Sequence, residues 1–260
     1  MFRPKQRRAG PSVPDGTRYY VVGDIHGCLD LLEALADAVE RDDRKRGASE
    51  TTVVLLGDLV DRGPDSRGVI DFARRWQARR NVRILAGNHE EMFLESFEDM
   101  EVLKHFLKYG GRETLLSYPL ERKEYKKLSL EELFERLPKL VPQEDRDFIA
   151  GFEEYIVAGN YLFVHAGINP ERPLSEQKRK DMLWIRERFL RYEGPLSHVV
   201  VHGHTIFDEV ENCGSRIGID TGAYDSGRLT ALVLEGTEQS SISAVRTDGV
   251  IAIETEEYRK

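Results

Sequence analysis

Six residues of metal-binding type each follow a short apolar run: Asp24 and His26 in GDIHG, Asp58 in GDLVDRG, Asn88 in GNHEE, His165 in YLFVHAG and His204 in HVVVHGHT. Carboxylates, imidazoles and one amide oxygen, with no thiolate, suit a divalent ion of borderline hardness such as Mn²⁺, Fe or Zn²⁺. A turn and a helix cap would account for Gly23, Gly27 and Asp24 but leave His26 without a task. Five strand ends carrying complementary donors outweigh that plainer reading. Six donors exceed what one catalytic ion with open positions uses. Two ions about 3.5–4 Å apart, sharing one carboxylate, would use them all. Asp58, from the middle one of the first three runs, is the candidate bridge. A hydroxide held between two such ions forms near neutral pH, because bound water ionises near a pKa of about 7 instead of about 15.7. The chemistry implied is in-line attack on phosphorus.

Such a reaction needs cations for the phosphoryl oxygens and an acid for the leaving group. Arg62 of DRG suits the first role, since a guanidinium grips two oxygens at once. Arg186 of LWIRERF is a second candidate, although its segment also reads as an amphipathic helix. His89 follows Asn88 directly and is the candidate acid. Asp61 could hold it protonated, because an opposite charge raises an imidazole pKa.

The elements that must position these residues are legible as well. Strand-like runs fall at 18–22, 51–56, 82–86, 161–165, 198–202, 216–220, 229–234 and 241–245. Each of the first three is followed by a turn and a helical pattern. Leu31, Leu32, Leu35 and Val39 share one helical face, and Pro64 opens a helix over 65–79. Repeated strand, loop and helix predict βαβ units in an α/β fold, whose ligands gather at the carboxyl ends of strands. Between about 91 and 155 the strand signal vanishes, predicting a helical cap or insertion. After 195, short and closely spaced strands predict antiparallel hairpins. The expected organisation is a flexible leader over 1–16, one domain over 17–250 and a solvated tail over 251–260. The basic leader lacks a secretory signal's apolar core, which leaves a flexible arm or a short organellar targeting segment.

A chain of 260 residues with a net charge of −8 is long enough to bury a sizeable core. That charge argues against a general nucleic-acid binder. Cys28 and Cys213 have neither disulfide density nor zinc spacing, so a reducing cytoplasm is expected. No apolar run is long enough to span a membrane. Plainer readings hold elsewhere: His105 and His198 as packing or surface residues, Cys28 as a small packed side chain, and 41–47 and 121–127 as solvated charge. Glu90 and Glu91 either hold cations, line the rim or simply complement a helix N-terminus.

Taken in order, GDIHG, GDLVDRG, GNHE, VHAG and GHT resemble the calcineurin-like metallophosphoesterases, and within them the phosphoprotein phosphatase branch in its bacterial and phage form. The resemblance spans about 18–235. It implies a four-layer αββα fold, two mixed sheets packed as a sandwich between helices. It implies Asp24 and His26 on a first metal, Asp58 as the bridge, and Asn88, His165 and His204 on a second. It also implies Asp61 and His89 as an acid dyad, Arg62 on the phosphate, and manganese as the metal. GGRETLLSY (110–118) and GIDTGAY (218–224) resemble family segments to which no chemical step is assigned. Broader members end in Gly-His-x-His, whereas here Ile206 stands at the last position, which favours the phosphatase branch. His202 either points into the site or supports it. The expected substrate is a phosphoprotein or small phosphoester. Dinucleoside polyphosphates or capped RNA ends are the rival, and an inactive scaffold is the remote alternative.

Overall fold

The computed structural model describes residues 10–258. Its strands are β1 (Thr17–Val22), β2 (Glu50–Leu55), β3 (Val82–Ile84), β4 (Tyr155–Ala158), β5 (Tyr161–Val164), β6 (Val199–His202), β7 (Glu211–Asn212), β8 (Arg216–Gly218), β9 (Arg228–Glu235), β10 (Glu238–Thr247) and β11 (Val250–Glu257). The first sheet runs β11-β10-β9-β1-β2-β3 and the second β4-β5-β6-β8-β7. The strands β1, β2 and β3 are parallel, as the repeated strand–helix pattern predicts.

The helices α1 (Leu29–Arg46) and α2 (Ser66–Gln77) cover the outer face of the first sheet. A lobe follows: α3 (Asn88–Glu95), α4 (Met100–Phe106), α5 (Arg112–Ser117), α6 (Arg122–Tyr125), α7 (Leu130–Leu140) and α8 (Gln143–Ala150). Then α9 (Arg179–Trp184) and α10 (Glu187–Leu190) pack on the second sheet, and α11 (Ala223–Ser226) precedes β9. Val21, Val54 and Leu232 of the first sheet share one buried cluster with Phe163, Val201 and Ile217 of the second. The sheets therefore pack face to face between helices. This is the α/β arrangement of two mixed sheets that the resemblance implies.

Four stretches differ from the sequence reading. Of the leader over 1–16, residues 1–9 lie outside the described residues, but Val13 is buried and its N–H donates to the Gly236 carbonyl. Most of the stretch read as a tail, 251–257, belongs to β11, which pairs antiparallel with β10. Its residues are largely exposed, so no buried-face pattern marks it. The expected hairpins after 195 hold for β9, β10 and β11, but β6 runs parallel to both β5 and β8. LWIRERF is not one helix, because α9 stops at Trp184 and α10 starts at Glu187.

Arg18 is buried at the base of β1 and ties three elements together. Its guanidinium donates to both Glu235 carboxylate oxygens, at 3.0 and 2.7 Å, and to Asp43 Oδ1 at 2.7 Å. Pairing with Arg18 holds the Glu235 carboxyl below its ordinary range. For Asp43 burial acts the other way, but hydrogen bonds from Thr51 and Arg18 prevail and lower it too. Such groups add stability that is present above the unfolded pKa and is lost as pH falls through the folded value. Arg18→Met is expected to cost about 2–3 kcal/mol near pH 7, less than for a fully dry pair because Glu235 is a third exposed. The gap should narrow below about pH 4. Urea titrations at both ends of this range measure it, and an unchanged gap would refute the pairing.

Candidate active site

Six strands end at one edge of the sandwich, three from each sheet. Val22, Leu55 and Ile84 are in register at the ends of β1, β2 and β3. The chain then turns through Asp24, Asp58 and Asn88. From the second sheet, β5, β6 and β8 lead to His165, His204 and Asp220. All these residues are buried. Their backbones are bent sharply: His26, Asp58, Asp61, Arg62 and His204 have φ between 47° and 74°. Non-glycine residues there are strained by roughly 1–3 kcal/mol each and persist only where the surroundings hold them. At Gly203 an added Cβ would collide with Asp24 Oδ1, so any side chain there would displace that carboxylate.

Two three-residue clusters of candidate ligand atoms form, His26–Asp58–His89 and Asp58–His165–His204. Asp58 belongs to both: its Oδ2 lies 3.5 Å from His26 Nε2, and its Oδ1 lies 3.5 Å from His165 Nε2. Asn88 Oδ1 lies 2.8 Å from His204 Nδ1 and 3.0 Å from His165 Nε2. Asp24 joins neither three-residue cluster among the described residues. Its carboxylate accepts the His204 backbone N–H at 3.0 Å and interacts electrostatically with Asp58 and Asp220.

The donor set fits a cation. His165 Nδ1 donates to the Leu56 carbonyl, so its Nε2 presents a lone pair to Asn88 Oδ1, another acceptor. His204 Nε2 is buried with no hydrogen-bond partner. Burial holds the imidazoles neutral, with His26 pushed down to about 3 and His204 to about 2, and with His165 lowered as well. Burial opposes the charge on Asp58, but the surrounding histidines outweigh it and keep its carboxyl below the usual range. Asp24 is pushed up by burial and by the Asp220 and Asp58 charges. Neutral imidazoles beside crowded carboxylates are the groups a divalent ion binds.

Beside this cluster, His89 Nδ1 lies 2.6 Å from Asp61 Oδ2, and its Nε2 lies 2.9 Å from Arg62 Nη2. Burial works against an imidazolium at His89, yet the Asp58 and Asp61 carboxylates prevail and raise its pKa. The Arg62 guanidinium rests 4.7 Å over the Tyr224 ring, which also meets His26 edge-on at 5.3 Å. Arg186 is exposed at the break between α9 and α10, and its charge acts on His165 and His204.

His202 does not enter the cluster. It packs edge-on against Phe189 and Phe207, and burial lowers it to about 4. Glu90, read from sequence as a first-turn acid or a cation ligand, has another task. Its carboxylate accepts the backbone N–H groups of Asp58, Leu59, Val60 and Gly87, clamping the loop that carries the shared carboxylate. Both unassigned segments reach the site. Thr114 of GGRETLLSY hydrogen-bonds Asp61, and Asp220 and Tyr224 of GIDTGAY face Asp24 and Arg62.

The sequence profile of the calcineurin-like phosphoesterases matches residues 17–227, and the chain belongs to that family. It is therefore a phosphoesterase, a hydrolase of a family that uses divalent metals. It is 25% identical over 247 residues to the bis(5'-nucleosyl)-tetraphosphatase PrpE of Oceanobacillus iheyensis, covering 86% of this chain and 91% of that protein. It is 28% identical over 236 residues to serine/threonine-protein phosphatase 1 of Salmonella typhimurium, covering 88% and 98%. In fold it is similar to the cold-active protein-tyrosine phosphatase of a psychrophilic Shewanella, with a TM-score of 0.59 at 19% identity over 97% of this chain and 89% of that one. No helix among the described residues is long and apolar enough to cross a membrane.

Proposed function

We propose that the chain is a dinuclear-metal phosphomonoesterase acting on phosphoserine and phosphothreonine. The observation that carries the reading is Asp58, shared by two ligand clusters, with the His89–Asp61 pair and Arg62 directly beside it. Asp24, His26 and Asp58 would hold one divalent ion, and Asp58, Asn88, His165 and His204 the other, with Mn²⁺ the expected metal. When bound, such a pair supplies Lewis-acid polarisation of the phosphoryl group and a nucleophilic water.

The chain's own groups do the rest. Arg62 grips phosphoryl oxygens, and Arg186 offers a second contact from the rim. Arg62 Nη2 donates to His89 Nε2 in the free protein; a phosphate dianion competes for that guanidinium, and the freed His89 Nε2 takes up a proton from solvent and faces the leaving oxygen. His89 gives its proton to that oxygen as the P–O bond breaks, while Asp61 holds the ring and offsets its charge.

A second reading, cleavage of dinucleoside polyphosphates, is favoured by two exposed rings at the site. Trp184, 6.3 Å from His204, and Tyr224 offer faces on which a nucleobase could stack. Turnover of a phosphothreonine peptide and of diadenosine tetraphosphate, each with Mn²⁺, separates the two. The peptide is expected to show a kcat/KM at least about 10-fold higher, a difference of about 1.4 kcal/mol in transition-state binding. The reverse ranking would replace the first reading by the second.

A further inference from the structure

Asp61 and Arg62 are consecutive non-glycine residues in the left-handed region, with φ of 74° and 66°. Two such residues in succession need outside support, which comes from Ser66 of α2, whose Oγ accepts the Asp61 N–H at 3.0 Å, and from the helical lobe. After α4 the chain kinks over Leu107–Gly111, where Tyr109 and Gly110 leave helical geometry, and enters α5. The carbonyl of Gly110 accepts the Arg62 N–H at 3.2 Å. Gly110 has a φ of +112°, and a Cβ there would lie 2.7 Å from both the Arg62 backbone nitrogen and Cγ.

Four residues on, Thr114 Oγ1 donates to Asp61 Oδ1 at 2.6 Å and accepts the Asp61 N–H at 2.8 Å, sharing that N–H with Ser66 Oγ. Its one proton is committed to Asp61, so the 2.9 Å contact with Ser66 Oγ has the serine as donor. The result is a fully buried chain with every donor assigned: Ser66 to Thr114, Thr114 to Asp61 Oδ1, and His89 Nδ1–H to Asp61 Oδ2. Asp61 has no rotational freedom left, and its second oxygen faces His89.

We propose that the lobe braces the acid dyad, with Thr114 as the positioning residue that orients Asp61 and, through it, His89. This rests on the reading of His89 as the general acid. The lobe is then part of the catalytic apparatus through one hydroxyl, in addition to walling the site.

The test is the dependence of rate on the leaving group in the full-length, Mn²⁺-loaded protein. Phenolate departs from phenyl phosphate with difficulty and needs a proton, whereas 2,4-dinitrophenolate departs unaided. Thr114→Val keeps the shape and deletes the hydroxyl. It is expected to lower kcat on phenyl phosphate about 30-fold, within the range that general acid catalysis contributes, with KM changed less than about 3-fold. On 2,4-dinitrophenyl phosphate the loss should shrink to about 3-fold, and Thr114→Ser should restore the phenyl phosphate rate. Equal losses on the two esters, or no loss on either, would overturn the proposal. Should Thr114→Val not fold, Ser66→Ala removes both the donor behind Thr114 and one acceptor of the Asp61 N–H, and should show the same dependence in milder form; a flat response there also overturns it. His89→Asn on the same pair is the reference. If it too is insensitive to the leaving group, the acid reading has failed, whereas a steep His89→Asn with a flat Thr114→Val condemns the brace alone.

Discussion

Asp58→Asn is expected to lower turnover by more than about 100-fold, and to take metal with it. Residues that merely support metal ligands cost about 10–100-fold when removed, and Asp58 is the only residue common to both ligand clusters. The change preserves shape but not capacity. A carboxylate turns one oxygen to His26 and the other to His165, each at 3.5 Å. A carboxamide has one acceptor oxygen and places an N–H₂ toward one of the two clusters. The negative charge also goes, from a position that His26, His89, His165 and His204 surround. Elemental analysis of the purified, folded variant should show bound manganese falling from two ions per chain to one or fewer. A variant that keeps two ions and a rate within about 10-fold of wild type would show that Asp58 is not the bridge.

His89→Asn makes the complementary case, since the metal should stay while the rate falls. Its Nε2 lies 4.0 Å from the nearest Asp58 oxygen, and its Nδ1 is engaged by Asp61. The expected loss is about 10²–10⁴-fold in kcat on an unactivated phosphomonoester, the usual contribution of a general acid, or about 2.7–5.4 kcal/mol of transition-state stabilisation. Manganese content should remain at the wild-type level. Loss of an ion in this variant would make His89 a ligand, as its place in the His26–Asp58 cluster allows geometrically. The acid role would then pass to another group.

The convergence of the candidate ligands was legible because each sits a residue or a few beyond an apolar run, where the sheet delivers it. Asp24, Asp58 and Asn88 needed only the expectation that parallel strands end together, and the register of β1, β2 and β3 meets it. Glu90 was not legible, since its value lies in the three backbone N–H groups of Asp58, Leu59 and Val60 brought to it from the neighbouring strand's loop, and an acid in a helix's first turn looks the same without them. Thr114 was hidden for a related reason: it lies 53 residues from Asp61, inside a helical lobe whose pattern reports only its own packing. The strand β11 escaped notice because, at the open end of the first sheet, it buries little of either face. The parallel pairing of β6 with β8 escaped too, because short spacing between strands reads as a hairpin, and only the intervening β7 and its loops make room for the return.

The candidate ligands are divided between the two sheets. Asp24, His26, Asp58 and Asn88 ride on one sheet and His165 and His204 on the other, and the apolar seam between the sheets sets their spacing together with the hydrogen bonds that His165 and His204 make across it. A slip of an ångström along that seam would leave both secondary structure and lobe intact yet pull the two halves of the cage apart. Catalysis in this molecule is therefore a gauge of interlayer alignment, and heat or denaturant should silence it before circular dichroism registers any loss of helix or strand.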